Sequence, residues 1–197
     1  NNTSGLGRNG IAPLVSIFTQ HNMPGEKAGR LDFQNQSIAF SLDQGKTWTK
    51  YAGNPVLKTP GLKDFRDPKV IWNEPSKKWI MSLAVADHVE FYSSTNLINW
   101  TKESEIGKNI FAHGGVWECP DLLNFKVLGK SIWVLLVSMN PGGPNGGSAT
   151  QYIVGDFDGH EFKPYSNDIK WMDYGPDNYA GVTFSNVGSR NILIGWM

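Results

Sequence analysis

The sequence has few of the features that would indicate a disulfide-stabilised, nucleic-acid-binding or membrane-spanning protein. Its 197 residues include one cysteine, Cys119, so no disulfide forms within the chain. Positive and negative charges are balanced at 18 each, and only 18% of the residues are charged. This composition argues against a nucleic-acid-binding protein, which normally has a basic patch, and against a disordered segment. No apolar run reaches the ~18 residues of a membrane span, so neither nucleic acid nor a membrane is an expected partner.

The residues that are abundant predict an all-β fold. Glycine occurs 22 times and proline 11 times, and aromatic residues make up 12% of the chain. This composition is typical of short strands rich in aromatic residues and joined by tight turns. No segment shows the periodicity of an amphipathic helix.

One structural unit recurs along the chain. Segments 66–102 and 118–163 each open with an acidic residue close to a proline, followed by an apolar strand, a polar turn, a tryptophan-containing strand and a hairpin. A shorter copy without the first strand precedes them, and another partial copy includes Tyr179. Units of four short strands with a period near 50 residues are typical of β-propeller blades. We therefore predict about three blades of a β-propeller; a two-sheet sandwich is the alternative, but it does not predict the repeat.

The hairpin at residues 41–48 supports the same fold. It reads S-x-D-x-G-x-T-W and resembles the Asp-box of sialidases and other propellers. In that device Asp43 binds the backbone of the turn, Gly45 takes a conformation that disfavours other residues, and Trp48 packs between sheets. The motif predicts a turn and indicates little about chemistry.

The ends of the sequence predict an internal piece of a longer protein. The chain opens on Asn1 without an initiator methionine and stops inside the strand-like run 194–197. Ending within a strand leaves backbone groups unpaired. We therefore expect residues 1–197 to form one incomplete β-propeller catalytic domain, and the lack of a signal peptide carries no information.

Asp67 and Glu118 are the strongest candidates for chemistry. Both lie at the start of equivalent first strands, which begin near the central axis of a propeller, so we expect their carboxylates to meet in one axial pocket. Arg66 favours an ionised carboxylate on Asp67 or binds substrate hydroxyls. Glu118 has the apolar neighbours Trp117 and Pro120, a setting that suits a general acid. The structural alternatives are a salt bridge for Asp67 and a satisfied buried glutamate for Glu118.

Other chemistry-bearing patterns are missing from the sequence. The four histidines and the cysteine show no metal-ligand spacing, and there is no phosphate-binding glycine loop or nucleophile elbow. We therefore expect no metal and no cofactor. His113 lies in a glycine-rich loop just before Glu118, where it is either loop surface or a residue that lines the pocket.

Residues 65–70 (F-R-D-P-K-V) and 117–122 (W-E-C-P-D-L) together resemble glycoside hydrolase family 32, which contains invertases, levanases and exo-inulinases. The resemblance spans essentially the whole chain, and residues 113–120 are most similar to levanases and exo-inulinases. It implies a five-bladed β-propeller followed by a β-sandwich that this chain lacks. It also implies an extracellular, periplasmic or cell-surface protein that acts on a fructan or on sucrose.

By this resemblance the reaction is the hydrolysis of terminal β-D-fructofuranosyl residues with retention of configuration. Glu118 matches the general acid/base, and Asp67 matches the transition-state stabiliser that holds fructose hydroxyls together with Arg66. The family's nucleophile is an aspartate in an early W-M-N-D-P-N-G motif, which this sequence lacks, so the chain alone is expected to be inactive. Tyr179 and Trp196 match positions near the sugar pocket, and His113 and Trp117 complete the predicted substrate-binding residues.

Three other functions stay open at this point. A sucrose-preferring invertase is the close alternative within the same chemistry. A non-catalytic carbohydrate-binding propeller is the second. A sialidase is the third, suggested by the Asp-box, but that chemistry needs several arginines for the substrate carboxylate and only Arg66 is well placed. The sequence does not predict the oligomeric state.

Overall fold

The computed structural model describes residues 3–197 and consists almost entirely of β-strands. A single short helix, α1 (Met23–Lys27), lies between the first two strands. Within the described residues no helix is long and apolar enough to cross a membrane. The strands are β1 (Leu14–His21), β2 (Gln34–Ser41), β3 (Thr49–Lys50), β4 (Phe65–Asn73), β5 (Lys78–Val85), β6 (His88–Ser94), β7 (Thr101–Ile106), β8 (Val116–Val127), β9 (Lys130–Asn140), β10 (Ala149–Phe157), β11 (Phe162–Pro164), β12 (Tyr179–Thr183) and β13 (Leu193–Trp196).

In the described residues these strands form four antiparallel sheets, and within each sheet every strand pairs with the strand that follows it in the sequence. Two sheets have four strands, β4 to β7 and β8 to β11; β1 to β3 form a three-stranded sheet, and β12 pairs with β13. The Trp48 hairpin joins β2 to β3, as the Trp100 hairpin joins β6 to β7. The first sheet therefore matches the last three strands of a complete unit. This confirms the predicted repeat, including a first copy without its first strand.

The two tryptophan hairpins are built in the same way. The indole N–H of Trp48 donates to the carbonyl of Gly45 (3.0 Å), and that of Trp100 donates to the carbonyl of Leu97 (3.1 Å). Asp43 accepts hydrogen bonds within the first turn, as the Asp-box predicts. Each ring thereby closes its own turn and fixes the start of the outermost strand. The prediction that Trp48 packs between sheets is wrong, because its side chain is 47% exposed.

The core lies between the sheets. The middle strand β5 is buried on both faces over most of its length, and so is the second half of β9, which explains why both strands have apolar runs rather than strict alternation. Strand β6 is buried as well, but it carries buried polar residues such as His88 and Glu90. Phe91 of β6 lies 5.2 Å from Phe157 of β10, between ring centroids, and so joins the two complete sheets. The fully buried Trp117 and Leu135 belong to the same cluster.

The first strands β4, β8 and β12 each contain a register shift of the same kind. In each, one residue with a positive φ interrupts the pairing with the next strand, which identifies a β-bulge. These residues are Asp67 (φ 59°), Cys119 (φ 49°) and Ala180 (φ 52°).

The bulges correct the predicted alignment of the two acidic residues. Cys119 occupies the position of Asp67, so Glu118 corresponds to Arg66 and not to Asp67. Tyr179 holds the same position as Glu118 in β12. The prediction that the two acids occupy the same place in each copy is therefore wrong by one residue. In regular strands consecutive side chains point to opposite faces. The bulges change this locally, so Asp67 and Glu118 still lie close together.

Candidate active site

Glu118 lies at the centre of a cluster formed by the three bulges. The Nη2 group of Arg66 donates to Glu118 Oε1 at 2.9 Å, and the Tyr179 hydroxyl donates to Glu118 Oε2. Three consecutive sheets thus contribute one side chain each to a single contact. The Glu118 side chain stays 27% exposed, so the carboxylate is accessible from the open side of the cluster.

Asp67 lies beside this cluster and, like Glu118, stays partly exposed. Its Oδ2 atom accepts a hydrogen bond from the backbone N–H of Cys119 at 3.1 Å, and the Cys119 Sγ lies 3.7 Å from the same oxygen. Arg66 Nε lies 4.0 Å away. The side chain is 31% exposed. Asp67 therefore keeps most of its hydrogen-bonding capacity free for a ligand.

Arg66 links the acidic residues of the site. Its Nη1 group lies 2.5 Å from Asp64 Oδ1 and its Nη2 group contacts Glu118, while the side chain is only 17% exposed. Burial opposes the charge, but the hydrogen bonds to Asp64 and Glu118 outweigh it and raise the pKa of Arg66 further. The guanidinium is permanently charged and held in one orientation, which suits a group that recognises hydroxyls or a carboxylate.

Tyr179 and Cys119 are held in their neutral forms. Burial, followed by the hydrogen bond to Glu118, raises the pKa of Tyr179, so its hydroxyl remains a donor at neutral pH. Burial and then the charges of Asp67 and Glu118 raise the pKa of the Cys119 thiol to about 12. A thiol with such a pKa is a poor nucleophile. The chemistry of this site therefore belongs to the carboxylates.

Known proteins are similar to this chain in both sequence and fold. The sequence profile of the Glycosyl hydrolases family 32 N-terminal domain matches residues 3–197. The chain belongs to glycosyl hydrolase family 32. It is 50% identical to the levanase of Bacillus subtilis over 205 residues and 41% identical to an extracellular exo-inulinase of Aspergillus niger over 223 residues. The β-fructofuranosidase of Schwanniomyces occidentalis, solved with fructosyl-erythritol, superposes with a TM-score of 0.88 at 40% identity over 99% of this chain.

These relatives are much longer than the chain. It covers 29% of the levanase, 41% of the exo-inulinase and 37% of the β-fructofuranosidase structure, while essentially all of its own residues are matched. The fold is part of the β-propeller of family 32, as predicted. The two four-stranded sheets have the strand number typical of a propeller blade.

Two of the predicted substrate-binding residues, Trp117 and His113, pack against each other. Trp117 is fully buried, and its indole N–H donates to the carbonyl of Ala112 (3.0 Å), so the predicted direct contact with substrate is wrong for this side chain. The His113 ring stacks on Trp117 with centroids 5.4 Å apart, and its Nε2 atom lies 2.9 Å from the Ile110 carbonyl. Together they fix the loop that leads into β8 and Glu118.

The other two predicted residues lie at the opening. Tyr179 contacts Glu118 as described, and Trp196 pairs with Tyr179 across β12 and β13. The Trp196 side chain is 75% exposed. Its role in sugar binding stays a prediction.

The apolar setting predicted for Glu118 is also wrong. Trp117 and Pro120 adjoin it in sequence, but the carboxylate itself contacts Arg66 and Tyr179. Alternation along the strand directs Trp117 into the core and Glu118 towards the opening. The immediate partners of the acid therefore come from other sheets.

A buried ion pair below the bulges was not predicted. Asp121 is 1% exposed; its Oδ2 atom accepts from the Thr183 N–H (2.8 Å) and hydroxyl (2.7 Å) and lies 3.1 Å from Lys69 Nζ. These residues come from β8, β12 and β4, so they tie the three first strands together. A charged residue directly after Pro120, inside an apolar strand, is the sequence signal that identifies this position.

A second polar cluster lies away from the site. The ligand atoms of His88, Glu90 and Glu105 lie within 4.8 Å of one another, a spacing that a metal ion requires. However, the Lys102 ammonium contacts Glu90 Oε1 and lies 2.7 Å from Glu105 Oε2. The cation of this cluster is therefore a lysine side chain, and the group forms an ion-pair network.

Proposed function

We propose that this chain supplies the acid/base and the transition-state stabiliser of a retaining β-fructosidase. Its substrates are the terminal β-D-fructofuranosyl residues of levan, inulin and sucrose. The observation that carries the proposal is the pair of carboxylates, Glu118 and Asp67, which face one opening from adjacent first strands with Arg66 between them. Membership of family 32 and the names of the levanase and exo-inulinase relatives support it.

In this proposal Glu118 protonates the oxygen of the leaving group. Cleavage of a fructosyl bond develops positive charge on the anomeric carbon, and that carbon is attacked by a second carboxylate, which in retaining enzymes lies about 5 Å from the acid. Both oxygens of Glu118 are engaged, by Arg66 and by Tyr179. Substrate binding therefore has to release one of these contacts before Glu118 reaches the leaving oxygen.

Asp67 acts as a fixed anion beside the reacting sugar. Its contact with the Cys119 N–H orients the carboxylate, and its exposed side is free to accept hydrogen bonds from two neighbouring hydroxyls of fructose. Such bonds strengthen as the sugar becomes positively charged, which stabilises the transition state more than the bound substrate.

The nucleophile is proposed to lie upstream, at the start of the first strand of a blade that residues 1–197 do not contain. Among residues 3–197, strand β1 pairs with β2 on one side, and no other strand pairs with its second edge. Thr19 of this strand accepts a hydrogen bond from the Asp67 N–H at 3.1 Å. A strand added at this second edge of β1 would therefore run beside Asp67. On this view residues 1–197 are an incomplete catalytic domain and are inactive alone.

The test uses a polypeptide that extends upstream through the strand proposed to carry the nucleophile. We expect it to hydrolyse sucrose, inulin and levan, and to form methyl β-fructofuranoside in methanol because configuration is retained. The Glu118→Gln variant should lose about 10²- to 10⁴-fold in kcat on these substrates, since it has no acidic proton. Glu161→Gln, at an exposed glutamate paired with Lys163, is the matched control and should stay active. Wild-type turnover by Glu118→Gln would reject the acid/base role.

The same measurements separate the remaining alternatives. A strong preference for sucrose over both polymers would identify an invertase. Binding of inulin or levan in calorimetry without any hydrolysis would identify a carbohydrate-binding propeller. The location is proposed to be extracellular, in line with the printed names of the exo-inulinase relatives; detection of the protein only inside cells would contradict this.

A further inference from the structure

We propose that Gln34, Gln36 and Thr19 are positioning residues that hold Arg66 and Asp67 in their reactive arrangement. The inference rests on the proposed fructosidase function and adds three residues of the neighbouring sheet to it. None of the three is a catalytic residue, because each acts through the backbone of β4.

The two glutamines hydrogen-bond to the backbone of Phe65, the residue directly before Arg66. The Phe65 N–H donates to Gln34 Oε1 at 2.9 Å, and Gln36 Nε2 donates to the Phe65 carbonyl at 2.8 Å. Gln34 and Gln36 are two residues apart in β2, so they lie on the same face of the sheet. They are 5% and 0% exposed. Two side-chain amides thus replace a partner strand for one peptide unit.

Thr19 extends this clamp to Asp67. Its hydroxyl donates to Gln36 Oε1 at 2.9 Å and accepts from the Asp67 N–H at 3.1 Å. Gln36 therefore sets the direction in which the Thr19 lone pair points. Asp67 has a φ of 59°, a left-handed conformation that is unfavourable for a non-glycine residue. The hydrogen bond from its N–H offsets part of that cost.

The consequence is an opening whose charges are in place before substrate arrives. Phe65 is clamped on one side of Arg66, and Thr19 fixes the backbone on the other side, at Asp67. Preorganised groups of this kind stabilise a transition state without reorganisation, and small displacements of them are costly in rate. Gln36 is fully buried, so it affects the reaction only through these contacts.

The chain offers a matched control in the same sheet. Asn54 clamps Ile38 in the same manner, since its Oδ1 accepts from the Ile38 N–H (2.9 Å) and its Nδ2 donates to the Ile38 carbonyl (2.8 Å). This second clamp lies at the edge of β2 that faces β3, away from β1 and β4. Gln36→Met and Asn54→Leu each remove one amide clamp and approximately keep the side-chain volume.

The experiment measures kcat and KM of these variants in the upstream-extended polypeptide. Gln36→Met and Thr19→Val should lose about 10- to 100-fold in kcat, whereas Thr19→Ser, which keeps the hydroxyl, should restore most of it. The loss should be the same on sucrose and on an activated fructoside with a good leaving group, because the stabiliser is affected and not the acid. Glu118→Gln should instead recover on the activated substrate. Asn54→Leu should lower the melting temperature while keeping kcat.

Each outcome has one meaning. An inactive wild-type polypeptide rejects the proposed function and leaves no rate to modulate. If the wild type is active and the Gln36→Met and Thr19→Val variants are as active as Asn54→Leu, the positioning role is rejected. A loss of kcat that disappears on the activated fructoside also rejects it, because the acid would then be the group affected.

Discussion

Removing Lys69 from its ion pair with Asp121 should destabilise the protein more than removing the charge of Asp121. Asp121 is 1% exposed and Lys69 is 21% exposed. Removing the lysine leaves a buried carboxylate with only the two hydrogen bonds from Thr183. Removing the charge of the aspartate leaves an ammonium that retains the Thr183 carbonyl at 2.8 Å and some contact with water.

The magnitudes follow from this difference in burial. Breaking a buried ion pair typically costs 3–5 kcal/mol, and the two remaining hydrogen bonds of Asp121 reduce this, so Lys69→Met should lower the free energy of unfolding by about 3 kcal/mol. Asp121→Asn should cost about 1–2 kcal/mol, since the amide still accepts from Thr183. The double variant should cost about 2 kcal/mol, clearly less than the sum, because neither charge is then left unpaired.

Urea unfolding monitored by tryptophan fluorescence measures these differences. Lys77→Met serves as the control, because Lys77 and Glu74 form an ion pair with both side chains about two-thirds exposed; such a change should cost less than about 0.5 kcal/mol. The reasoning is refuted if Lys69→Met is no more destabilising than Lys77→Met. It is also refuted if the double variant costs the sum of the single ones.

Two further predictions concern titrating groups. The backbone N–H and then the hydroxyl of Thr47, followed by the Ser41 hydroxyl, lower the pKa of Asp43 from 3.8 to about 2. The stability that this carboxylate provides is therefore present above about pH 4 and lost as the pH falls towards 2. The unfolding midpoints of the wild type and of Asp43→Asn should differ at pH 6 and converge at pH 2. A difference that stays constant with pH would contradict this. The native Cys119 thiol has a pKa of about 12. Iodoacetamide at pH 9 should therefore label this thiol much more slowly in the native protein than in the urea-unfolded chain. Cys119 is the single cysteine, so mass spectrometry reports its labelling directly. Equal labelling rates would contradict the raised pKa.

Local sequence patterns were sufficient to predict the repeat. A turn that depends on one aspartate, one glycine and one tryptophan is specified by residues adjacent in the chain, so the Trp48 hairpin was identified correctly. The strands β5 and β9 contain runs that are apolar on both faces because they lie between neighbouring sheets, and that too is visible in the sequence.

The register of the acids was predicted less well. Asp67 directly precedes a proline, while Glu118 is separated from its proline by Cys119. Only the bulges, with their positive φ angles, show that this single-residue offset is part of the structure. Periodicity cannot predict it, because a bulge places two consecutive residues opposite one on the partner strand.

The sequence did not predict which residues from distant segments contact Glu118. Arg66 meets a residue 52 positions away and Tyr179 one 61 positions away. The buried glutamines of β2 show no pattern that distinguishes them from surface residues of a strand. Trp117 was expected at the pocket because it adjoins Glu118, although neighbouring residues in a strand face opposite sides.

The sequence by itself determined the all-β repeat, the turns and the two carboxylates, because these depend on composition and on contacts within a few residues. The tertiary structure alone decided which groups surround the carboxylates. Arg66 and Tyr179 engage Glu118, while Thr19 and the glutamines fix the backbone at Asp67, because bulges in successive sheets direct these groups towards one opening. That convergence is a property of how the sheets pack, which no local pattern encodes.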